Sequence, residues 1–239
     1  MHEPVGRPRY QSLDLLRGLA ILLMFVFHFS YDLNYFGVVT IYFLEGWFWP
    51  NFRIVIVSLF LLVMGISLYL SAHKGIRSKS YLRRLTLLIV YAALVSVGSW
   101  YMFPQTYIWF GILHFIAVAS VLGLLFVRLG ILNLLIGCML LLLGVFYNHS
   151  LFDSPLLQWL GMMSYQPRTE DYVPLVPWFG IVLIGIYLGK YMLNKPGSML
   201  FSQWQNPVVD SVCFAGRHSL HIYMLHQPVF IGLLWLVFG

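Results

Sequence analysis

Seven long apolar stretches constrain this chain more than any other feature of its sequence. Each has about 20 residues, the number that a helix rising about 1.5 Å per residue needs to cross the roughly 30 Å hydrocarbon core of a bilayer. The predicted spans are roughly 12–31, 52–72, 84–102, 108–127, 130–148, 174–193 and 217–238. The sequence therefore predicts an all-α, polytopic transmembrane helical bundle, with residues 1–239 forming a single integral membrane domain. Short interfacial helices are expected in two connecting segments, at SPLLQWLGMM and SMLFSQW.

Composition favours lipid as the surrounding solvent. Hydrophobic residues make up 60% of the chain and charged residues only 9%, whereas a soluble domain has roughly a quarter charged residues. The first apolar run is longer than the hydrophobic region of a signal peptide, and no small-residue cleavage site follows it, so we expect it to be retained as a membrane helix. Cys138 and Cys213 belong to no paired motif and are predicted to be free thiols.

The distribution of basic residues predicts the orientation of the chain. With the N-terminus in the cytoplasm, most lysines and arginines lie on the cytoplasmic side, as the positive-inside rule requires. These are Arg7, Arg9, Arg17, Lys74, Arg77, Lys79, Arg83, Arg84, Arg128, Lys190, Lys195 and Arg217, against Arg53 and Arg168 on the other side. Seven spans then place the C-terminus outside. The net charge of +6 is explained as a topology signal, so nucleic acid is not predicted as a partner.

Ionisable residues form a stripe along the first span. Arg17 and His28 are eleven residues apart, which brings their side chains within about 20° of the same helix face and separates them by about 16 Å along the axis. Asp14 and Asp32 extend the stripe at its two ends. Such groups are costly in lipid and mark functional sites. Taken alone, however, Arg17 would suit a snorkelling anchor and His28 an interhelical hydrogen bond.

Further polar residues lie in the fourth and last spans. His114 is near the outer end of the fourth span, where a structural hydrogen bond and a site role are both open. Arg217, His218 and His221 are near the cytoplasmic interface, and His226 is deeper. The spacings of the three histidines point them to different faces, with no acidic residue among them, so no metal site is predicted.

The first and last spans also carry a family resemblance. Arg17, ten residues and then His28 is similar to the signature of membrane acyltransferases of the acyltransferase-3 type. The stretch SLDLLRGLAILLMFVFHFSYDLNYFG, with FLLVMGISLYLS and FGILHFIAVAS, more closely resembles small bacterial inner-membrane proteins grouped with the catalytic domain of heparan-α-glucosaminide N-acetyltransferase. GRHSLHIYMLHQPV is similar to the closing helix of these enzymes. One departure is the loop YDLNYFGVVTIYFLEGWFWPN, which lacks the histidine found there in the lysosomal enzyme, so heparan chemistry itself is not supported.

The resemblance implies that the protein moves an acyl group, an acetyl group by preference, from cytoplasmic acyl-CoA to a hydroxyl or amine of an envelope glycan or lipid-linked acceptor. Acyl-CoA would be a co-substrate, with no permanently bound cofactor. A neutral imidazole suits proton removal near neutral pH, and arginine suits phosphate. The candidate catalytic residues are His28 as the base and, for orienting it or the acceptor, Asp32, His114 and His226. The candidate CoA-binding residues are Arg17, Arg83, Arg84 and Arg217.

Two other functions remain open at this point. A transporter or flippase without covalent chemistry would use the stripe as a proton or substrate path, although no inverted repeat is visible. A structural partner in an envelope complex would need no activity at all. In each case the predicted location is the bacterial inner membrane, and the lipid bilayer is the surrounding solvent. The sequence allows both a monomer and a homo-oligomer.

Overall fold

The computed structural model describes residues 9–43 and 45–238, so Arg7, one of the predicted cytoplasmic cations, lies outside the described residues. Within them the chain is helical, with eight α-helices and no strand, which confirms the predicted all-α class. The helices are α1 (Gln11–Tyr35), α2 (Phe48–Ala72), α3 (Ser78–Met102), α4 (Ile112–Phe126), α5 (Leu132–Phe146), α6 (Leu175–Asn194), α7 (Pro207–Arg217) and α8 (Ser219–Phe238).

Each of the seven predicted spans coincides with a helix. Five of these helices, α1, α2, α3, α6 and α8, are long and apolar enough to cross a membrane. The other two, α4 and α5, have 15 residues each, a rise of about 22 Å against a hydrocarbon core of roughly 30 Å. The protein is therefore a membrane protein with several spanning helices, while the number seven and the orientation of the termini stay predictions.

The connecting segments differ from the prediction. SPLLQWLGMM and SMLFSQW contain only short 3₁₀ turns, Gln158–Leu160 and Met199–Phe201. Each turn has three residues, which is too short for the expected interfacial helix. The amphipathic helix of this region is α7, which follows the second turn. Its start is well specified, since the Asn206 side chain accepts a hydrogen bond from the Val208 N–H at 2.8 Å and proline occupies the first helical position.

The chain divides into two compact units, which are the described parts of Met1–Phe60 with Met192–Gly239, and Leu61–Tyr191. The first unit contains α1, α7 and α8, and α1 packs mainly along α7 and also against α8. The second contains α3, α4 and α5, with α3 packed against α4. Helices α2 and α6 each begin in one unit and end in the other. The single-domain organisation stays a prediction.

Glycines let α1 and α7 cross at backbone contact. A Cβ atom on Gly18 would overlap the carbonyl oxygen of Val212, and one on Gly216 would overlap the carbonyl oxygen of Asp14. Glycine permits such close approach of helices, as small residues do throughout membrane proteins. The crossing holds the N-terminal half of α1, and with it Asp14, directly against α7.

Glycines serve the same purpose in the second unit, at Gly185 and Gly189 of α6 and at Gly65 of α2. A Cβ atom on Gly185 would overlap the carbonyl oxygen of Leu62, and one on Gly189 would lie 3.0 Å from the carbonyl oxygen of Ile66. Helices α2 and α6 therefore meet through these glycines. Cys138 and Cys213 are free, as predicted, the first exposed and the second buried.

Candidate functional site

The ionisable stripe predicted on α1 lies on the side of the helix that faces α7 and α8. Asp14 and Asp32 are buried, with 5% and 3% of their surface exposed, and Arg17 and His28 are half-buried. Each end of the stripe is held by different partners. The N-terminal end of the stripe, which is the predicted inner end, pairs with basic residues, whereas the C-terminal end, which is the predicted outer end, meets the polar residues of α8.

At the inner end, Asp14 is shared by two arginines. Its Oδ2 atom lies 2.9 Å from Nε of Arg9, and its Oδ1 atom lies 2.9 Å from Nη1 of Arg17. The carboxylate also lies in the first turn of α1, where the helix dipole favours a negative charge. Two cations share one carboxylate, so this cluster has an excess of one positive charge. The ion pair with Asp14 orients Arg17, which is therefore not an isolated cation.

A cavity of about 430 Å³ opens beside this cluster. It is lined by Arg9, Asp14, Trp204, Asp210 and Arg217, together with amide side chains. Arg217 is exposed at the C-terminal end of α7, where a cation is favoured by the helix dipole. Of the predicted CoA-binding residues in this unit, Arg217 lines the cavity, whereas the lining does not include Arg17.

At the outer end, the structure brings two predicted site residues together. The imidazole rings of His28 and His226 pack edge to face, with centroids 4.9 Å apart and an angle of 66° between their planes. Phe25 stacks on His226 at 6.0 Å, and Phe230 packs edge-on against it at 5.9 Å. Across the described chain, no three His, Cys, Asp or Glu side chains gather as metal ligands. Phe25 of α1 and Phe230 of α8 therefore flank the ring of His226 beside its contact with His28.

The tautomer of His226 follows from its contacts. Its Nδ1 atom lies 2.5 Å from the carbonyl oxygen of Tyr223. A carbonyl only accepts hydrogen bonds, so Nδ1 carries the proton and donates, and Nε2 of the neutral ring is an acceptor. This Nε2 atom is buried and has no hydrogen-bond partner among the described residues. His226 thus presents an oriented lone pair, the feature that a general base needs.

Asp32 is joined to α8 by a residue that the sequence analysis missed. The Nε2 atom of Gln227 donates a hydrogen bond to Oδ1 of Asp32 at 3.3 Å. The signal was visible as a glutamine between His226 and Pro228, directly before the apolar run that ends α8. The other oxygens of the two side chains, Oδ2 of Asp32 and Oε1 of Gln227, are buried without a hydrogen-bond partner in the part of the chain that the structure describes.

His114 belongs to the second unit and is engaged on both sides of its ring. The Gly111 N–H donates to Nδ1 at 3.2 Å, which leaves the proton of the neutral ring on Nε2. That nitrogen lies 3.1 Å from Oγ of Ser96, whose hydroxyl in turn donates to the carbonyl of Ile108 at 2.6 Å. This geometry is typical of a structural histidine. The site role predicted for His114 stays a prediction.

Arg83 and Arg84 also belong to the second unit. Both lie in the second turn of α3 and are exposed. Nearby, the Tyr81 hydroxyl donates to the carbonyl of Ser120 at 3.2 Å and fixes this end of α3 to α4. The two arginines are thus accessible cations on a well-held helix, and their role in CoA binding stays a prediction.

Comparison with known proteins identifies one family. The family model described as heparan-alpha-glucosaminide N-acetyltransferase, catalytic, matches residues 9–228 of the chain. The match includes α1 and α7 completely and α8 as far as Pro228. No curated protein and no solved structure shows significant similarity to the chain.

Proposed function

The chain belongs to the heparan-alpha-glucosaminide N-acetyltransferase catalytic-domain family, and from this membership we propose that it is an integral-membrane acyltransferase that uses acyl-CoA. The preferred acyl group is acetyl, and the acceptor is a hydroxyl or amine of an envelope glycan or lipid-linked molecule. Acyl-CoA is a co-substrate that binds, and leaves as CoA, in each turnover. Membrane location and general acetyltransferase character follow from the family and the apolar helices.

The observation that carries the proposal is the pair of imidazoles, His28 and His226, enclosed by aromatic rings. In the proposed reaction, the acceptor oxygen or nitrogen attacks the thioester carbonyl carbon, forming a new C–O or C–N bond while the C–S bond breaks. The acceptor proton passes to an imidazole nitrogen and then to the sulfur of the leaving CoA. His28 was the base favoured by sequence, and the fixed tautomer of His226 makes its Nε2 atom the better-defined proton acceptor.

Donor binding is proposed at the inner end of the first unit. Arg17 and Arg217 lie there with the cavity beside α7, and guanidinium groups bind phosphate oxygens in paired hydrogen bonds. Arg17 and His28 are about 16 Å apart along α1. A long, narrow donor with its phosphates at the arginines would therefore reach towards the imidazoles with its acyl end. Arg83 and Arg84 of α3 are the remaining candidates for phosphate contacts.

The cellular setting is part of the proposal. The resemblance to small bacterial inner-membrane proteins supports the inner membrane as the location, with the acyl donor on the cytoplasmic side and the acceptor on the outer side. The bilayer is the solvent for the spanning helices. A homo-oligomer remains compatible with this function.

The proposal is tested with purified protein in detergent or nanodiscs. We expect binding of acetyl-CoA and slow release of CoA, measured with a thiol reagent, with most of the release lost in His226→Gln and a smaller reduction in His28→Gln. His218→Gln is a matched control, because His218 is an exposed histidine of the same region and lies outside the proposed site. Folded wild-type protein that neither binds acetyl-CoA nor releases CoA would contradict the proposal, and proton or lipid flux without a donor would identify a transporter instead.

A further inference from the structure

Three buried acceptor atoms on the contacting stretches of α1 and α8 have no donor among the described residues. They are Oδ2 of Asp32, Nε2 of His226 and Oε1 of Gln227, and none has a hydrogen-bond partner in the described residues. Asp32 and His226 are only 3% and 5% exposed. Leaving a buried polar atom without a hydrogen bond destabilises the folded state. Three such atoms along one α1–α8 contact indicate a position that a ligand completes.

The chemistry of the three atoms specifies the ligand. Oδ2 belongs to a carboxylate, Nε2 is an acceptor because Nδ1 donates to the Tyr223 carbonyl, and Oε1 is fixed as an oxygen because the amide nitrogen of Gln227 donates to Asp32. All three therefore accept hydrogen bonds. A ligand that satisfies them must offer several O–H or N–H donors, which a single hydroxyl does not.

We infer that Asp32, Gln227 and His226 form the subsite that binds the acceptor substrate, and that this substrate carries at least two neighbouring donor groups, as the vicinal hydroxyls or amino alcohol of a sugar do. This inference rests on the proposed function. His226 receives the proton of the attacking group at Nε2. Asp32 and Gln227 hold a neighbouring O–H or N–H, and so determine which acceptors are used.

The chain offers a clear set of variants to test the subsite. Asp32→Asn replaces an acceptor oxygen by an N–H₂ donor at nearly constant volume, and Gln227→Leu removes the amide while keeping similar bulk. Ser30→Ala is the matched control on the same helix, since the exposed Ser30 hydroxyl only donates to the Val26 carbonyl within α1. Thermal midpoints of all variants show whether they fold.

The first measurement needs no acyl donor. Saturation-transfer NMR is recorded in nanodiscs with methyl β-D-glucopyranoside, with its 2-amino-2-deoxy analogue, and with 1-butanol as a single-hydroxyl probe. We expect both sugars to give signals in wild type and Ser30→Ala, and to lose most of them in Asp32→Asn and Gln227→Leu, while butanol gives little signal throughout. Relative signals of the two sugars distinguish a hydroxyl from an amine acceptor. Equal sugar signals in folded wild type, Asp32→Asn and Gln227→Leu, or no signal in wild type, would overturn the inference.

The second measurement is kinetic and separates the inference from the proposed function. With acetyl-CoA present, we expect Asp32→Asn to raise the acceptor KM about 10- to 100-fold, the equivalent of losing one charge-assisted hydrogen bond, while Ser30→Ala keeps the wild-type acceptor KM. Transfer with an unchanged acceptor KM would overturn the subsite and leave the function intact. Sugar binding that depends on Asp32 in a protein that never releases CoA would support the subsite and contradict the function.

Discussion

His28 and His226 differ in what the surrounding chain does to their rings. The carbonyl of Tyr223 fixes the tautomer of His226 and directs its Nε2 lone pair away from the helix backbone. His28 contacts the ring of His226 edge to face, so it limits where that ring lies. The sequence shows two histidines of equal chemistry, whereas the structure gives their rings different contacts, and we therefore propose His226 as the proton acceptor and His28 as the residue that positions it.

This difference predicts unequal effects of substitution. His226→Gln removes the proton acceptor, so we expect kcat for acetyl transfer to fall by about 10²- to 10⁴-fold, the usual contribution of a general base. His28→Gln keeps the acceptor and loosens its position, so a smaller fall in kcat is expected. Rates are measured at saturating acetyl-CoA, with thermal midpoints as the fold control. A larger loss in His28→Gln than in His226→Gln would reverse the assignment.

Tyr172, in the segment before α6, gives a pH-dependent prediction. Burial, reinforced by nearby Tyr165, raises the pKa of Tyr172 to about 12, and its hydroxyl donates to the carbonyl of Gln158 at 2.5 Å. Because the folded state favours the neutral phenol, the stability it contributes is fully present below the unfolded pKa of about 10. That contribution is lost as the pH rises through the folded value.

The measurement is an alkaline titration of phenolate absorbance in wild type and Tyr172→Phe. We expect the difference between the two curves to be flat up to about pH 10 and to show one late-titrating tyrosine near the folded-state pKa of about 12. A difference that appears already at the pKa of an ordinary tyrosine would show that Tyr172 is not protected by the fold.

Helices differ in how well the sequence predicts them. The apolar spans were found because about 20 hydrophobic residues in a row permit little else in a bilayer. Helix α7 was missed because its apolar residues are interrupted by Asp210 and Ser211, although Asn206-Pro207 is a start signal. The stripe on α1 followed from helical periodicity alone. The pairing of this stripe with His226 and Gln227 on α8 could not be predicted in the same way. Contacts between side chains of two helices depend on the register between those helices, which no pattern within one helix encodes.

The glycine crossing of α1 and α7 predicts a position-specific loss of stability. A leucine at Gly18 or Gly216 would have to displace the backbone of the facing helix, and overpacking of this kind costs typically about 1–3 kcal/mol or more. Gly232→Leu is the control, because a Cβ atom there meets no heavy atom of the described chain within 4 Å. We expect lower thermal midpoints, followed by tryptophan fluorescence in detergent, for Gly18→Leu and Gly216→Leu only.

A comparable loss in Gly232→Leu would mean that leucine is tolerated poorly on these helices in general, and would remove the argument from the crossing. A normal midpoint in Gly18→Leu would show that α7 is free to move away from α1. The same variants also report on function, because the crossing orients Asp14, and Asp14 orients Arg17. We expect the affinity for acetyl-CoA to fall together with the midpoint.

At the scale of the whole molecule, the orientation of the chain rests on its charges. Lys74, Arg77, Lys79, Arg83 and Arg84 lie in and after the short connection between α2 and α3, and such a cluster stays in the cytoplasm. The number of spans rests on α4 and α5, whose 15 residues each are short for a bilayer. The turn between these two helices therefore lies inside if both cross, and outside if they form a hairpin that returns to the same face.

Cysteine labelling separates these topologies. In a background with Cys138→Ser and Cys213→Ala, single cysteines replace Lys79, Leu129 and Ser150, which are all exposed. If the chain has seven spans with its N-terminus inside, an impermeant maleimide added to intact spheroplasts labels Ser150→Cys at once, and labels Lys79→Cys and Leu129→Cys only after permeabilisation. Immediate labelling of Leu129→Cys with protection of Lys79→Cys would show that α4 and α5 re-enter from the outside and that the protein has five spans. Immediate labelling of Lys79→Cys would show that the orientation is the reverse of the predicted one. The proposed donor site, with Arg17 and Arg217, would then lie on the side that has no acyl-CoA.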